Sequence, residues 1–265
     1  MISAAFLAAS CNNAMIEDPV QYGTLSVSLA GEPGVEVVTR GTELSADKAK
    51  NYDLAVYDNP DCSGTPVSGP VKYSAVNGGF ILPEDTYYVW AQSCSPGVAE
   101  TGNGCMRLVG KSPAVEVKTD IINPAVVKCE VANARVTVAF DSSVAENFEN
   151  ESLTVTLTQG KSNPNRILTA TNTGTNTTTE FWFNHGSVVT YSISGTTRDG
   201  KTVSGSGCIN KSSDTGNPIP FVSKDDYCLN VSVKQSSDGT LSLSPSVNTT
   251  VEKGDDITAG FNPYK

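Results

Sequence analysis

One histidine, two tryptophans and three methionines in 265 residues leave little from which to build a catalytic or metal centre. A Ser–His–Asp triad has to run through His185, which sits in Phe183-Asn184-His185-Gly186-Ser187, a segment that reads as a hairpin turn. No Gly-x-Ser-x-Gly elbow supplies a nucleophile, and a single histidine is too few for a zinc site. No glycine-rich loop leads into a helix to cradle phosphate. Charge is scarce too: 17% of residues are charged, the net charge is −10, and no basic block is present. An acidic chain repels phosphate backbones, so nucleic acid is excluded as a partner. The sequence therefore predicts no enzyme, no catalytic residues, no cofactor and no metal. Helix-length apolar periodicity is missing throughout, and no apolar run is long enough to span a bilayer.

What remains is rich in Ser, Thr, Asn and Gly, the composition of a turn-rich, exported all-β protein. The seven cysteines are an odd number, and none falls in a C-x-x-C pair. With Cys11 set aside, Cys62, Cys94, Cys105, Cys129, Cys208 and Cys228 remain, and six cysteines allow 15 connectivities. One pairing, Cys94–Cys105, closes the glycine-containing loop from Ser95 to Gly104. The alternative is that several cysteines fill the core as free thiols.

Met1 to Ser10 reads as the apolar tail of an export signal whose start lies upstream. Leu7-Ala8-Ala9-Ser10-Cys11 resembles a bacterial lipobox, with the leucine one position early. Cys11 is then the lipidation site, and the mature chain is anchored rather than spanning. The competing reading is an ordinary signal peptide. Residues 1–22 are assigned as lipoprotein signal and polar tether.

From Gly23 onward the pattern is β. Leu25, Val27 and Leu29 share one face, against Thr24, Ser26 and Ser28 on the other. Similar alternation recurs at Tyr52–Val56, Val136–Phe140 and Leu153–Leu157. Strands at short, regular spacing predict two antiparallel β-sandwiches in tandem, residues 23–130 and 131–265. Tyr88 and Trp90 are expected to anchor the first core. Asp85 is expected to hold a positive φ in the turn before them. Asp199-Gly200 and Asp238-Gly239 suit type I′ hairpin turns. Asp225-Asp226 and Asp255-Asp256 read as surface charge, with calcium binding in a loop as the alternative.

Several of these segments, in this order, are similar to one known family. After the lipobox comes the Gly23-to-Val27 strand, then Thr39-Arg40, then Tyr52 to Val56. The turn Leu82-Pro83-Glu84-Asp85-Thr86-Tyr87 follows, and then Val127-Lys128-Cys129-Glu130-Val131-Ala132-Asn133. The chain resembles the fimbrillin-like surface lipoproteins of Bacteroidales, in a branch catalogued as a domain of unknown function. The resemblance implies two transthyretin-like β-sandwich domains and export to the outer membrane or cell surface. In pilus-forming relatives a protease cuts after an arginine and releases the first strand, and another subunit's strand refills the groove. Here the cut falls between Arg40 and Gly41, and the exchanged strand carries Leu25, Val27 and Leu29. The candidate donor strand carries Ile257, Ala259 and Phe261. Burying three such side chains contributes about 2 kcal/mol each. That is a large share of a domain's net stability of about 5–15 kcal/mol. Cleavage therefore requires a replacement strand.

Two functions stand open on the sequence. One is a fimbrial structural, tip or anchor subunit whose partners are other fimbrial subunits or host and bacterial surface ligands. The other is a lipid-anchored glycan- or ligand-binding protein that does not polymerise, for which the segment Phe181-Trp182-Phe183 is the place to look for an aromatic platform.

Overall fold

Alternating apolar and polar residues become strands whose inward faces meet in two cores. The computed structural model describes residues 20–31, 49–76, 78–160, 166–237 and 240–249. The protein is all-β. Its strands are β1 (Tyr22–Gly31), β2 (Asp53–Tyr57), β3 (Ser68–Lys72), β4 (Phe80–Pro83), β5 (Asp85–Gln92), β6 (Leu108–Lys111), β7 (Val115–Val117) and β8 (Ile122–Val131) in the first half. The second half has β9 (Asn133–Phe140), β10 (Phe148–Gly160), β11 (Ile167–Thr171), β12 (Thr178–Asn184), β13 (Val188–Thr197), β14 (Thr202–Cys208), β15 (Asp226–Gln235) and β16 (Leu241–Thr249). Among the described residues, the short helices α1 (Pro96–Ala99) and α2 (Ser142–Asn147) and a 3-10 turn at Tyr73–Ala75 interrupt them.

The first half forms one eight-stranded hydrogen-bonded sheet in the order β3-β2-β5-β6-β8-β1-β4, with β7 joined to the start of β5. β5 divides its edge between two partners: Asp85–Tyr87 faces β7 and Trp90–Gln92 faces β6. This split lets the sheet wrap around its own apolar face. That face gathers Leu25, Leu54, Val56, Val89 and Val127, all fully buried. The second half is two four-stranded sheets, β11-β10-β13-β14 and β12-β9-β15-β16. Between them lie Val136, Val138, Phe140, Leu153, Val155, Leu157, Phe181 and Leu229. Each such side chain contributes about 1.5–3 kcal/mol on burial, so the strict alternation in β9 and β10 fixes the register of both sheets. Only Ala132 separates β8 from β9.

Four sequence expectations are corrected by the structure. The sheets are mixed rather than purely antiparallel, because β1 pairs with β8 and β15 with β9 in parallel. In each case the two strands are far apart in sequence, so the chain has room to return in the same direction. The phase of β5 is the reverse of that expected. Tyr87, Val89 and Ala91 are buried, while Tyr88 and Trp90 lie on the half-buried opposite face. Asp85 opens β5 and is not among the described non-glycine residues with positive φ; its carboxylate instead accepts from the Thr86 amide at 2.7 Å. The Asp199-Gly200 turn has only Gly200 at positive φ, and the Thr197 amide bonds Lys201 O at 2.9 Å. That is the three-residue hairpin loop with a glycine in the left-handed region, not type I′. The Asp238-Gly239 turn lies outside the described residues.

Candidate functional site

The face of β1 expected from the sequence is the face the fold uses. Leu25 is fully buried in the first core, and Val27 and Leu29 pack half-buried against it. β1 lies between two strands, but its two edges are unequally covered. On one side β8 runs alongside from Thr24 to Gly31. On the other, β4 pairs only with Tyr22 to Leu25. Position 79 lets β4 approach this closely: a Cβ on Gly79, at φ +105°, falls 2.5 Å from the Leu25 carbonyl oxygen. From Ser26 to Gly31 the outer edge has no strand partner among the described residues. The Tyr73 hydroxyl, donating to Val27 O at 3.4 Å, is its side-chain contact there. A row of backbone groups with a strand on one side only is a template for an added strand.

The second feature joins the two cores. Ser95 caps α1, its hydroxyl accepting from the Val98 amide at 3.3 Å. The chain then turns back through Gly102 and Gly104, both at positive φ. A Cβ on Gly104 falls 2.7 Å from Ala99 O and 2.9 Å from Trp182 Cβ, so this contact needs glycine. From this loop Asn103 O accepts the Trp182 amide at 2.8 Å. Glu100 Oε1 accepts both the Asn184 amide at 2.8 Å and Gln159 Nε2 at 2.9 Å. Arg166 donates to Trp182 O at 2.7 Å and to Gly102 O, with its guanidinium 5.4 Å from the Phe183 ring centroid. Trp182 itself belongs to β12 but packs into the first core. Asn133, fully buried at the crossing, accepts from the Arg107 amide at 3.1 Å and donates to Cys105 O at 2.8 Å. Asn133 closes the Val127–Asn133 segment named above, but its buried bridging role has no pattern in the sequence.

The other residues singled out from the sequence are placed as follows. The Cys94 and Cys105 sulfurs are 4.0 Å apart as free thiols. Cys11, Arg40, Gly41, Ile257, Ala259, Phe261 and the pair Asp255-Asp256 lie outside the described residues. His185 is exposed in the turn after β12. Phe181, Trp182 and Phe183 are all buried, so this segment presents no aromatic platform. Neither aspartate of the Asp225-Asp226 pair is loose surface charge. Asp225 is buried and accepts from the Val222 amide at 2.8 Å and the Tyr227 hydroxyl at 3.1 Å. Burial, with Asp225 beside it, pushes the Tyr227 phenol up. Asp226 takes a two-pronged contact from Arg135, which also reaches Glu180 at 3.3 Å. Among the described residues no group of three His, Cys, Asp or Glu is placed to hold a metal. A shallow groove of about 580 Å³ runs between Lys111–Val115 and the outer face of β8 at Pro124, Val126 and Lys128.

No curated protein matches the sequence. Several solved structures are similar to it at low identity. A candidate cell adhesion protein of Bacteroides ovatus is 11% identical with a TM-score of 0.49, covering 88% of this chain and 99% of its own. A candidate adhesin, also from Bacteroides ovatus, is 14% identical with a TM-score of 0.45, covering 90% and 98%. The fimbrial anchor protein Mfa2 of Porphyromonas gingivalis is 16% identical with a TM-score of 0.40, covering 85% and 97%. The model of the family described as "Domain of unknown function (DUF4493)" matches residues 21–259, nearly the whole sequence, and the chain belongs to that family.

Proposed function

We propose that this protein is a cell-surface fimbrial subunit acting as a structural, tip or anchor component in adhesion. In this reading it is held at the outer membrane through a lipid on Cys11, and residues 23–130 and 131–265 act as its two domains. Its partners are other fimbrial subunits or surface ligands. The observation that carries the reading is the setting of β1. Leu25 anchors the strand in the core, while Ser26–Gly31 leaves one edge without a strand among the described residues. A strand so placed is integral to its sheet and adjoins a place where another strand can pair. Cleavage between Arg40 and Gly41 frees the chain that follows from β1. A donor strand carrying Ile257, Ala259 and Phe261 then supplies replacement apolar side chains. The ligand-binding alternative loses its most specific support, because Phe181, Trp182 and Phe183 are buried rather than displayed.

The test is N-terminal sequencing and mass analysis of the protein recovered from cell surfaces. A chain beginning at Gly41 in high-mass assemblies assigns a polymerising subunit. A blocked, acylated Cys11 in the same assemblies assigns a retained tip or anchor component. Recovery only as an unlipidated monomer, away from any assembly, overturns the proposal.

A further inference from the structure

We propose that Cys94 and Cys105 are the site of a disulfide that closes the loop between them and thereby locks the contact between the two cores. The sulfurs are already in van der Waals contact at 4.0 Å. Closing to a bond of about 2.05 Å requires the two sulfurs to approach by about 2 Å. The backbone at both ends is held. Cys94 O accepts from Arg107 Nε at 3.1 Å. The Cys105 amide bonds Ala99 O at 2.9 Å, and Cys105 O accepts from Asn133 Nδ2 at 2.8 Å. These hydrogen bonds fix the backbone on both sides of the pair.

The ring it closes contains the residues that reach the second core. Glu100 Oε1 receives the Asn184 amide, Gly102 O receives Arg166, and Asn103 O receives the Trp182 amide. In the dithiol form this loop opens by breaking a few hydrogen bonds. In the disulfide form its ends are tied, and fewer open states remain to compete with the docked one.

Cys105 is exposed and Cys94 is partly covered, which sets the order of attack. The Cys105 thiolate attacks a small-molecule disulfide, forming a mixed disulfide and releasing one thiol. The Cys94 thiolate then attacks the Cys105 sulfur and expels the second thiol. Two protein thiols are oxidised and one small disulfide is reduced to two thiols. Partial desolvation by the surrounding loop, then the neighbouring Cys94 sulfur, holds the Cys105 thiol above its ordinary range, so closure quickens as pH rises. The geometry of these residues supports the inference whether or not the protein is a fimbrial subunit.

The experiment treats the full chain with oxidised glutathione, followed by intact-mass measurement, peptide mapping and amide hydrogen exchange. The expected product is about 2 Da lighter than the dithiol and has Cys94 linked to Cys105. Exchange at the Trp182 and Asn184 amides is expected to slow about tenfold in the oxidised form, while the amides of β10 are unchanged. Dithiothreitol restores the faster exchange. Cys94→Ser and Cys105→Ser each abolish the effect and retain the exchange rates of the reduced wild type. A stable glutathione adduct on Cys105, a linkage to any other cysteine, or a Cys94–Cys105 bond with unaltered exchange at Trp182 and Asn184 overturns the proposal.

Discussion

The side-chain amide of Asn133 donates to the carbonyl oxygen of Cys105 at 2.8 Å, tying the first residue of β9 to the end of a loop 28 residues earlier. The same side chain accepts the Arg107 amide. Asn133→Ala leaves a donor and an acceptor without partners beside a fully buried position. The expected loss is about 2–4 kcal/mol, read from the urea midpoint. Asn133→Asp keeps the volume but turns an oxygen toward Cys105 O. Its deficit is expected to shrink as pH falls, because only the protonated acid can donate there.

Leu25 and Leu29 share a face of β1 but not a depth. Leu25→Ala is expected to cost about 2–5 kcal/mol, the range for emptying a packed core site. Leu29→Ala, at a half-buried position, is expected to cost less than about 1.5 kcal/mol. Equal losses in denaturation would show that β1 is held uniformly along its length, contrary to its unequal pairing with β4.

The alternation of β1, β9 and β10 is visible in the chain because each strand has one wet and one dry face. Residues shaped by contact between distant segments were not legible in the same way. Trp182 sits between two other aromatics, yet it packs into the first core rather than with its own half. Tyr88 and Trp90 are large and apolar, yet the pairing of β5 with β2 and β7 places the smaller Val89 and Ala91 inward. Parallel pairing of β1 with β8 joins strands about a hundred residues apart, which no local pattern announces. Cys94 and Cys105, close in the chain, lie with their sulfurs 4.0 Å apart as free thiols.

Cys129 is buried in the first core, and burial pushes its thiol up to about 11 from its ordinary 9.0. At pH 8 about one molecule in a thousand carries the thiolate, so maleimide labelling there is expected to require unfolding. The raised value also sets a direction for stability. The neutral thiol favours the folded state below about pH 9, and that contribution is lost as pH rises from 9 towards 11. Cys129→Ala is expected to remove this part of the alkaline decline in denaturation curves.

At the exposed β13–β14 turn, hydrogen bonding from Thr197 and then Lys201 lowers the Asp199 carboxyl to about 2. A depressed acid contributes stability above its unfolded value of about 3.8 and loses it as pH falls towards 2. Thr197→Val removes the first of these donors. Carboxyl-carbon NMR is expected to show the Asp199 titration moving up towards the ordinary range, with the rest of the β13 chemical shifts retained.

Trp182 belongs by chain to β12 and by packing to the first core. The covalent path between the halves is the single residue Ala132, but a tensile load across the molecule meets resistance elsewhere. Pulling the halves apart has to draw an indole out of an apolar socket and break the bonds around Asn103 and Glu100 at the same time. The joint therefore behaves as a mechanical fastener whose strength comes from desolvation, and its failure under force is a sudden release rather than a gradual bend.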